Sequence, residues 1–277
     1  MKVYRPYHVM VVAALLSAYD FASPGMNGQS STSWFQSLVS TAAAATAFAA
    51  ADGAATPLSL TGKRAYSGSN PHAELTPDQH LMVALRHHAE GRLAQAMDTL
   101  DRAIEKHAMD AALLGVRGSF YLEQGAVTAA LSDLEKAVSL DPYNAGHRVN
   151  RAQVYRRFNR LDEALADLDK AVDLEPNSIA ARFNRGVMLY AKARYDAALA
   201  DFEHCISLQP NTAGPYFNRG VTLDALGNRP GAIADLEHFI ELTNDENWTK
   251  AAQDQLDTWR KQLAKAESPE QPTAVDN

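Results

Sequence analysis

Three asparagines recur at intervals of 34 residues along the chain, at Asn150, Asn184 and Asn218. Each amide offers N–H donors and a carbonyl acceptor, the two kinds of group that an extended peptide backbone needs for pairing. A row of such amides can hold a peptide backbone without reading its side chains. The same amides can also form local hydrogen bonds within the protein, and the sequence leaves both interpretations open.

Arginine and aspartate also recur together, with each aspartate 16 residues after its arginine. A guanidinium group pairs with a carboxylate through two parallel hydrogen bonds, and removing one partner of a partly buried pair strands the other. Val83 and Thr99 stand at the equivalent positions of an earlier segment, so both partners are missing there together. We therefore predict a structural Arg–Asp ladder with the rungs Arg117 and Asp133, Arg151 and Asp167, Arg185 and Asp201, and Arg219 and Asp235.

The other reactive residue types form no catalytic or metal-binding pattern. His87 and His88 are adjacent and point to different faces of a helix, and none of the nine histidines has metal-ligand spacing. Cys205, the single cysteine, stands where three equivalent positions carry alanine, which indicates a small packed residue. The sequence contains no glycine-rich phosphate loop, nucleophile motif or paired-carboxylate motif. We therefore expect a protein that is not an enzyme and has no cofactor, metal or small-molecule substrate.

The charge balance argues against one further class of partner. The 277 residues include 26 Lys and Arg and 33 Asp and Glu, which gives a formal net charge of −7. A protein that binds nucleic acid needs a basic surface to neutralise phosphates, so we expect no nucleic-acid partner.

All of these residues lie within an internal repeat of 34 residues. Pro142, Pro176 and Pro210 mark its period, and working outward from them gives the units 77–110, 111–144, 145–178, 179–212 and 213–246. Within a unit, position 8 is small, position 20 is alanine and position 24 is large and apolar. The small residues let two helices approach closely, and the large residue fills the space between them. Glycine or asparagine near position 15 can adopt the left-handed conformation that ends a first helix.

This pattern resembles the tetratricopeptide repeat (TPR) family over residues 77–246. The resemblance implies an all-α fold, a right-handed superhelical solenoid of five antiparallel helix pairs. The end units depart from the family pattern, with Ala108 and Asn244 where proline is expected. An apolar stripe from Trp248 to Leu263 predicts a C-terminal capping helix at 247–266, followed by a disordered tail at 267–277.

The resemblance also implies a binding surface. In TPR proteins, position 6 of the first helix lies on the concave groove beside positions 2, 5, 9, 12 and 13, and relatives that bind extended peptides use asparagine ladders there. The family's carboxylate-clamp pattern is not matched, which argues against binding of chaperone C-terminal tails. The expected groove residues are Asn150, Asn184 and Asn218, the apolar Val187 and Val221, the aromatic anchors Phe183, Phe217 and Tyr190, and the basic Arg156 and Arg157.

The implied function is a non-catalytic protein–protein interaction scaffold or assembly factor that holds an extended peptide segment in the concave groove. The alternative is a constitutive structural subunit of a large membrane or organellar complex, held by its convex face or its termini. End-to-end self-assembly is a third hypothesis, which the predicted capping helix opposes.

The first 76 residues are a different kind of chain, poor in charge and without a helical or strand period. Lys2 and Arg5 precede an apolar run at 9–16, which is shorter than the about 20 residues that span a bilayer. We interpret 1–49 as a targeting leader and 50–76 as a flexible linker, and we favour export to a periplasm or secretion. Import into a mitochondrion or plastid is the alternative, and a cytosolic tail is a third interpretation. Membrane association is expected only through a partner or an uncleaved leader.

Overall fold

The computed structural model describes residues 75–267, with side chains described for residues 75–264. The predicted leader at 1–49, nearly all of the predicted linker and the tail beyond residue 267 lie outside these residues. Residues 75–267 contain eleven α-helices and no β-strand. They belong to two compact units, residues 75–140 and residues 141–267, which are described separately below.

Each unit is built from pairs of helices in which a helix of 13 residues is followed by one of 14. In residues 75–140 the helices are α1 (Pro77–Ala89), α2 (Leu93–Lys106), α3 (Ala111–Glu123) and α4 (Val127–Leu140). In residues 141–267 they are α5 (Ala145–Arg157), α6 (Leu161–Leu174), α7 (Ile179–Ala191), α8 (Tyr195–Leu208), α9 (Ala213–Ala225), α10 (Arg229–Leu242) and α11 (Glu246–Glu267). The prediction of an all-α fold with five antiparallel helix pairs and one further helix is confirmed.

Polar side chains fix where the first helix of a pair begins. Oδ1 of Asp110 accepts a hydrogen bond from the backbone N–H of Leu113 at 3.0 Å. Oδ1 of Asn144 accepts one from the backbone N–H of His147 at 3.1 Å. These bonds satisfy donors that have no partner inside the helix. The residues before them include the recurring prolines, which cannot continue the preceding helix.

The turn inside each pair needs a residue in the left-handed conformation. Gly91, Gly125 and Gly227 have φ of 73°, 74° and 85°, and the equivalent Asn159 and Ala193 have φ of 57° and 56°. Glycine adopts this conformation without strain, whereas alanine does so at a cost. The expectation that these positions end the first helices is confirmed, and Ala193 is the strained member of the set.

The two helices of a pair approach closely because position 8 is small. A Cβ atom added to Gly186 would lie 2.7 Å from Cε1 of Phe202, and one added to Gly118 would lie 2.7 Å from Cγ of Leu134. The position-20 residue Ala198, on the facing helix, is fully buried. In these two pairs the backbone of the first helix is therefore in direct contact with one large apolar side chain of the second.

Helix α11 follows the last pair and packs against α10. Its apolar stripe is buried through Ala252, Leu256 and Trp259, while the residues on its opposite face are exposed. The helix begins at Glu246 and ends at Glu267, one residue beyond the predicted span at each end. None of the described helices combines the length and the hydropathy that a membrane-crossing helix needs.

Candidate functional site

The arginines and aspartates of the predicted ladder meet across each helix pair. Arg185 on α7 donates from Nε to Oδ2 of Asp201 and from Nη2 to Oδ1, both at 2.7 Å, and Asp201 on α8 is only 1% exposed. The same two-bond geometry joins Arg117 to Asp133, Arg151 to Asp167 and Arg219 to Asp235, at 2.6 to 2.9 Å.

Two of these aspartates each bind a second arginine, a contact that was not predicted from the sequence. Arg148 and Arg182 each donate from Nη1 to Oδ1 of Asp167 and Asp201, at 3.1 Å. The Nε of Arg182 also donates to the carbonyl of Pro176 at 2.6 Å, and Arg148 binds the equivalent Pro142 carbonyl. The recurrence of arginine at position 4, 34 residues apart, was the signal available in the sequence.

Ladder arginines also connect neighbouring repeats within a unit. Arg117 donates from Nη1 to Asp101 at 2.8 Å, and Arg185 donates from Nη1 to Asp169 at 3.1 Å. In both cases the aspartate lies at position 25 of the preceding repeat. Each of these guanidinium groups therefore binds two helices of different repeats at once.

The arginines of the ladder are permanently charged and are already paired within the protein. Hydrogen bonding to Asp133 raises the pKa of the Arg117 guanidinium, and Asp201 and Asp235 raise the pKa of Arg185 and Arg219 in the same way. The arginines stay charged throughout the accessible pH range, and their donors are already used by protein carboxylates. These residues position helices and are not available to bind a ligand.

Two of the three recurring asparagines are held by their own helix. Nδ2 of Asn184 donates to the carbonyl of Ala180 at 2.8 Å, and Nδ2 of Asn218 donates to that of Gly214 at 2.9 Å. Both side chains are nearly buried, at 7% and 8% exposure. Asn150 is half-buried and makes no such bond within the described part of the chain.

These bonds leave part of each amide unused. One Nδ2 hydrogen serves the helix carbonyl, while the second hydrogen and Oδ1 have no partner among residues 75–267. Neither Oδ1 is among the fully buried unpaired atoms of this part of the chain, so both retain contact with solvent. The helix carbonyl therefore fixes the orientation of a donor and an acceptor that remain free.

Two of the aromatic side chains predicted as groove anchors are largely buried. Phe183 is 3% exposed and packs edge-on against Phe202, with 5.9 Å between ring centroids. Tyr190 is 6% exposed and lies 5.3 Å from the ring of Tyr195, and burial raises its pKa. Val187 is likewise buried. These rings pack against the second helix of their own repeat and leave little surface for a partner, so their role as anchors stays a prediction.

The last predicted anchor is covered by the C-terminal helix. Phe217 is half-buried, with its ring centroid 5.1 Å from that of Phe239 and 5.6 Å from that of Trp248 on α11. Its neighbour Val221 is 4% exposed. Phe217 thus holds α11 in place and is not an exposed anchor for a partner.

The predicted basic residues lie at the end of α5. Arg156 is half-buried and Arg157 is exposed, and both fall in the last helical turn, where positive charge complements the helix dipole. Arg160 follows them and places its guanidinium 4.4 Å from the ring centroid of Tyr155.

The described residues offer little for catalysis. Among residues 75–264 no group of three or more His, Cys, Asp or Glu side chains is arranged to hold a metal ion. Cys205 is fully buried, and this burial raises the pKa of its thiol to about 12. A thiol in that state is neutral and is not a nucleophile at neutral pH.

Comparisons with protein-family models agree with the repeated helix pairs of the structure. Three family models described as tetratricopeptide repeat match residues 81–145, 121–185 and 179–212. None of the curated proteins compared with the chain matches it.

Solved structures with similar folds are also tetratricopeptide repeat proteins. YrrB, described as a TPR protein with an unusual peptide-binding site, is 25% identical, with 64% of this chain and 91% of YrrB covered and a TM-score of 0.52. TTC0263, a thermophilic TPR protein of Thermus thermophilus, is 18% identical, with 67% and 100% covered and a TM-score of 0.53. A tetratricopeptide repeat protein from Parabacteroides merdae is 20% identical, with 72% and 80% covered and a TM-score of 0.55.

Proposed function

Because the chain belongs to the tetratricopeptide repeat family, we propose that it is a non-catalytic protein–protein interaction scaffold that binds an extended segment of a partner protein. The segment lies along the first helices of residues 141–267 and pairs with Asn150, Asn184 and Asn218. An assembly factor that presents or delivers such a segment is the corresponding cellular role.

One observation carries this proposal. The side chains of Asn184 and Asn218 stand at the same position of consecutive repeats and are fixed by the same bond to a carbonyl four residues earlier. A donor and an acceptor that are already oriented lose little conformational entropy when they bind a backbone. Two equivalent amides therefore suit an extended peptide with a regular backbone rather than a compact, folded ligand.

The buried aromatic residues change the expected mode of binding. Phe183 and Tyr190 are buried against the second helix of their own repeat and offer little area for side-chain anchoring. Affinity then comes mainly from backbone pairing, which is tolerant of partner sequence. The description of YrrB as a protein with a peptide-binding site supports peptide binding as a capacity of this type of fold.

The test is replacement of the three asparagines together by alanine. We expect quantitative capture of the native partner to fall at least tenfold, while the helical circular dichroism stays unchanged. The change in stability should be small, because alanine improves helix propensity by up to about 0.7 kcal/mol while each lost hydrogen bond costs about 1 kcal/mol.

The matched control replaces Asn211, Asn244 and Asn247 by alanine. These three are exposed and lie outside the first-helix positions that carry the ladder of amides. The control should retain full capture. Unfolding of the first triple variant, or equal capture by both variants, means that the groove asparagines are structural and that the proposal is wrong.

A second candidate function is that of a constitutive subunit held by surfaces outside the groove. It is favoured by Tyr143, whose side chain is 77% exposed in the loop before α5. Tyrosine is enriched at protein interfaces relative to the rest of the surface. A fixed stoichiometric set of partners that is lost on Tyr143→Ser, and not on replacement of the asparagines, supports this function over the first.

A further inference from the structure

The two edges of residues 141–267 carry opposite charge. The loop edge, where second helices end and first helices begin, consists of residues 141–147, 173–181, 207–215 and 241–247. These ranges contain no Lys or Arg, and the cations that reach them are Arg148 and Arg182, which bind the carbonyls of Pro142 and Pro176. The six acidic residues of the loop edge are Asp141, Asp173, Glu175, Glu241, Asp245 and Glu246. The turn edge, where first helices end and second helices begin, consists of residues 156–163, 190–197 and 224–230. It carries six basic residues, Arg156, Arg157, Arg160, Lys192, Arg194 and Arg229.

The turn edge is continuous from one repeat to the next. Lys192, just after α7, places its Nζ 2.5 Å from Oδ1 of Asp162 in the first turn of α6. This contact joins residues 30 positions apart in the chain. The basic residues of the turns at 156–163 and 190–197 therefore belong to one surface.

Most acidic groups of the turn edge are already neutralised by its own cations. Besides the Lys192–Asp162 pair, Arg160 binds Glu163 at 2.9 Å, and Arg229 binds Asp224 at 2.5 Å. Asp196 is the fourth acidic residue of this edge.

Arg194 adds positive charge that these pairs do not cancel. Its side chain is exposed and makes no ion pair within the described residues, and the exposed Arg157 lies on the same edge. With six basic and four acidic residues, this edge is net positive by sequence, whereas the loop edge is acidic.

Large apolar side chains lie beside these charges. Phe158 is 43% exposed immediately after Arg157, and Leu226 is 40% exposed in the turn after α9. Apolar and basic groups on one surface are complementary to a partner that is both acidic and apolar.

We infer that the turn edge binds an acidic protein segment containing large apolar side chains. Its carboxylates pair with Arg194 and compete with the exposed Asp162 for Lys192, and an apolar side chain packs on Phe158. The inference rests on the proposed function, because Arg157 of this edge occupies a groove position, so that a segment in the groove reaches this edge. The acidic loop edge repels the carboxylates of the segment. The bound segment is therefore oriented with its carboxylates toward the turn edge.

An anionic membrane is a poorer fit to this edge. The side chain of Asp162 is 82% exposed among the cations, and a continuous layer of anionic headgroups would meet it as well as the basic residues. A segment with discrete carboxylates can place them against the arginines and avoid this aspartate.

The probe for this inference is a fluorescein-labelled peptide with the sequence Glu-Glu-Leu-Glu repeated three times. Its binding to the full chain is followed by fluorescence anisotropy at low and high salt, with a peptide carrying Lys in place of every Glu as the negative control. We expect binding of the acidic peptide only, weaker at high salt because exposed charges are screened.

The decisive variant is Lys192→Glu with Arg194→Glu, and its matched control is Lys136→Glu with Lys170→Glu. The control lysines are exposed on α4 and α6 and are not among the residues of the turn edge, and the two variants have the same net charge. We expect the first variant to lose at least tenfold in affinity and the control to change less than twofold. Equal losses in both variants overturn the inference, because they show an effect of net charge alone.

Two further measurements separate the remaining outcomes. If vesicles rich in phosphatidylserine bind the chain and the acidic peptide does not, the edge is a membrane surface and the inference is wrong. If Lys192→Glu with Arg194→Glu leaves capture of the native partner intact while the asparagine triple variant abolishes it, the groove function stands and the edge inference fails. Loss of capture in both variants supports the groove function and the edge inference together, and loss only in the edge variant contradicts both, because the inference depends on a segment held in the groove.

Discussion

Arg185 binds Asp201 of its own repeat through two hydrogen bonds of 2.7 Å and binds Asp169 of the preceding repeat through a third of 3.1 Å. One guanidinium group therefore holds both the helix pair and the contact between two repeats. Arg182 adds a second cation to Asp201, so that this buried carboxylate is the centre of the network in its repeat.

Replacement of Asp201 by threonine should strongly destabilise the protein. It leaves Arg182 and Arg185 without their common carboxylate, and breaking a buried pair from one side costs about 3–5 kcal/mol. Urea unfolding measures the change, and the exposed Asp196→Asn is the control that should have little effect. Adding Arg185→Val, which reproduces the Val83 and Thr99 combination of the first repeat, should recover part of the loss. A double variant no more stable than the single one contradicts this account.

The contact between Gly186 and Phe202 predicts a second stability effect. Gly186→Ala places a Cβ atom 2.7 Å from the ring of Phe202, and such overpacking costs about 1–3 kcal/mol. The first and third repeats combine alanine at position 8 with leucine at position 24, as in Ala152 and Leu168. Gly186→Ala together with Phe202→Leu should therefore be more stable than Gly186→Ala alone, as measured by thermal unfolding. If the stability change of the double variant equals the sum of the changes in the two single variants, the methyl group added at position 186 and the side chain at position 202 do not clash directly.

Ala193 offers a stabilising substitution. Its φ of 56° is unfavourable for a residue with a Cβ atom, and the equivalent residue is glycine in three other repeats. Ala193→Gly should raise the free energy of unfolding by about 1 kcal/mol, because it relieves left-handed strain. The control Ala200→Gly, at an exposed position within α8, should lower it by about the same amount. Loss of stability in Ala193→Gly would falsify the strain argument.

Burial of Cys205 predicts slow thiol chemistry. At pH 8 a disulfide reagent should label the native chain slowly and the urea-unfolded chain at once, because the native pKa is raised to about 12. The unfolded thiol loses its proton near pH 8.5. The stability associated with this residue is therefore fully present below that pH and is lost as the pH rises toward 12. Fast labelling of the native chain at pH 8 contradicts this picture, and Cys205→Ala should remove the signal while keeping the fold.

The mature N-terminus tests the targeting proposal. We propose export, with removal of the predicted leader at 1–49, and intact mass after expression in the native host measures the processed chain. A start near Ala50 supports export. A start at Ser67 supports mitochondrial import, because Lys63-Arg64-Ala65-Tyr66-Ser67 resembles a mitochondrial presequence cleavage site. An unprocessed chain contradicts both.

Much of the fold follows from the 34-residue period of the sequence. Small residues, alanines, large apolar residues and prolines recur in phase because every repeat solves the same packing problem, and so the sequence alone located all five helix pairs. The Arg–Asp spacing of 16 residues also predicted side chains that the structure brings together. These features depend on contacts within one repeat, where sequence distance determines spatial distance.

Contacts between elements were decided only by the tertiary structure. A helical register shows that Phe183 and Phe217 share the same position in their repeats, but it does not show that Phe202 and Trp248 cover them. The Arg185 contact with Asp169 likewise depends on the offset between consecutive repeats. Sequence by itself determined the period, the helices and the polar residues that recur. Packing against neighbouring helices decided which of those residues are buried supports and which remain free to bind, because burial depends on what lies across the helix surface and not on the helix itself.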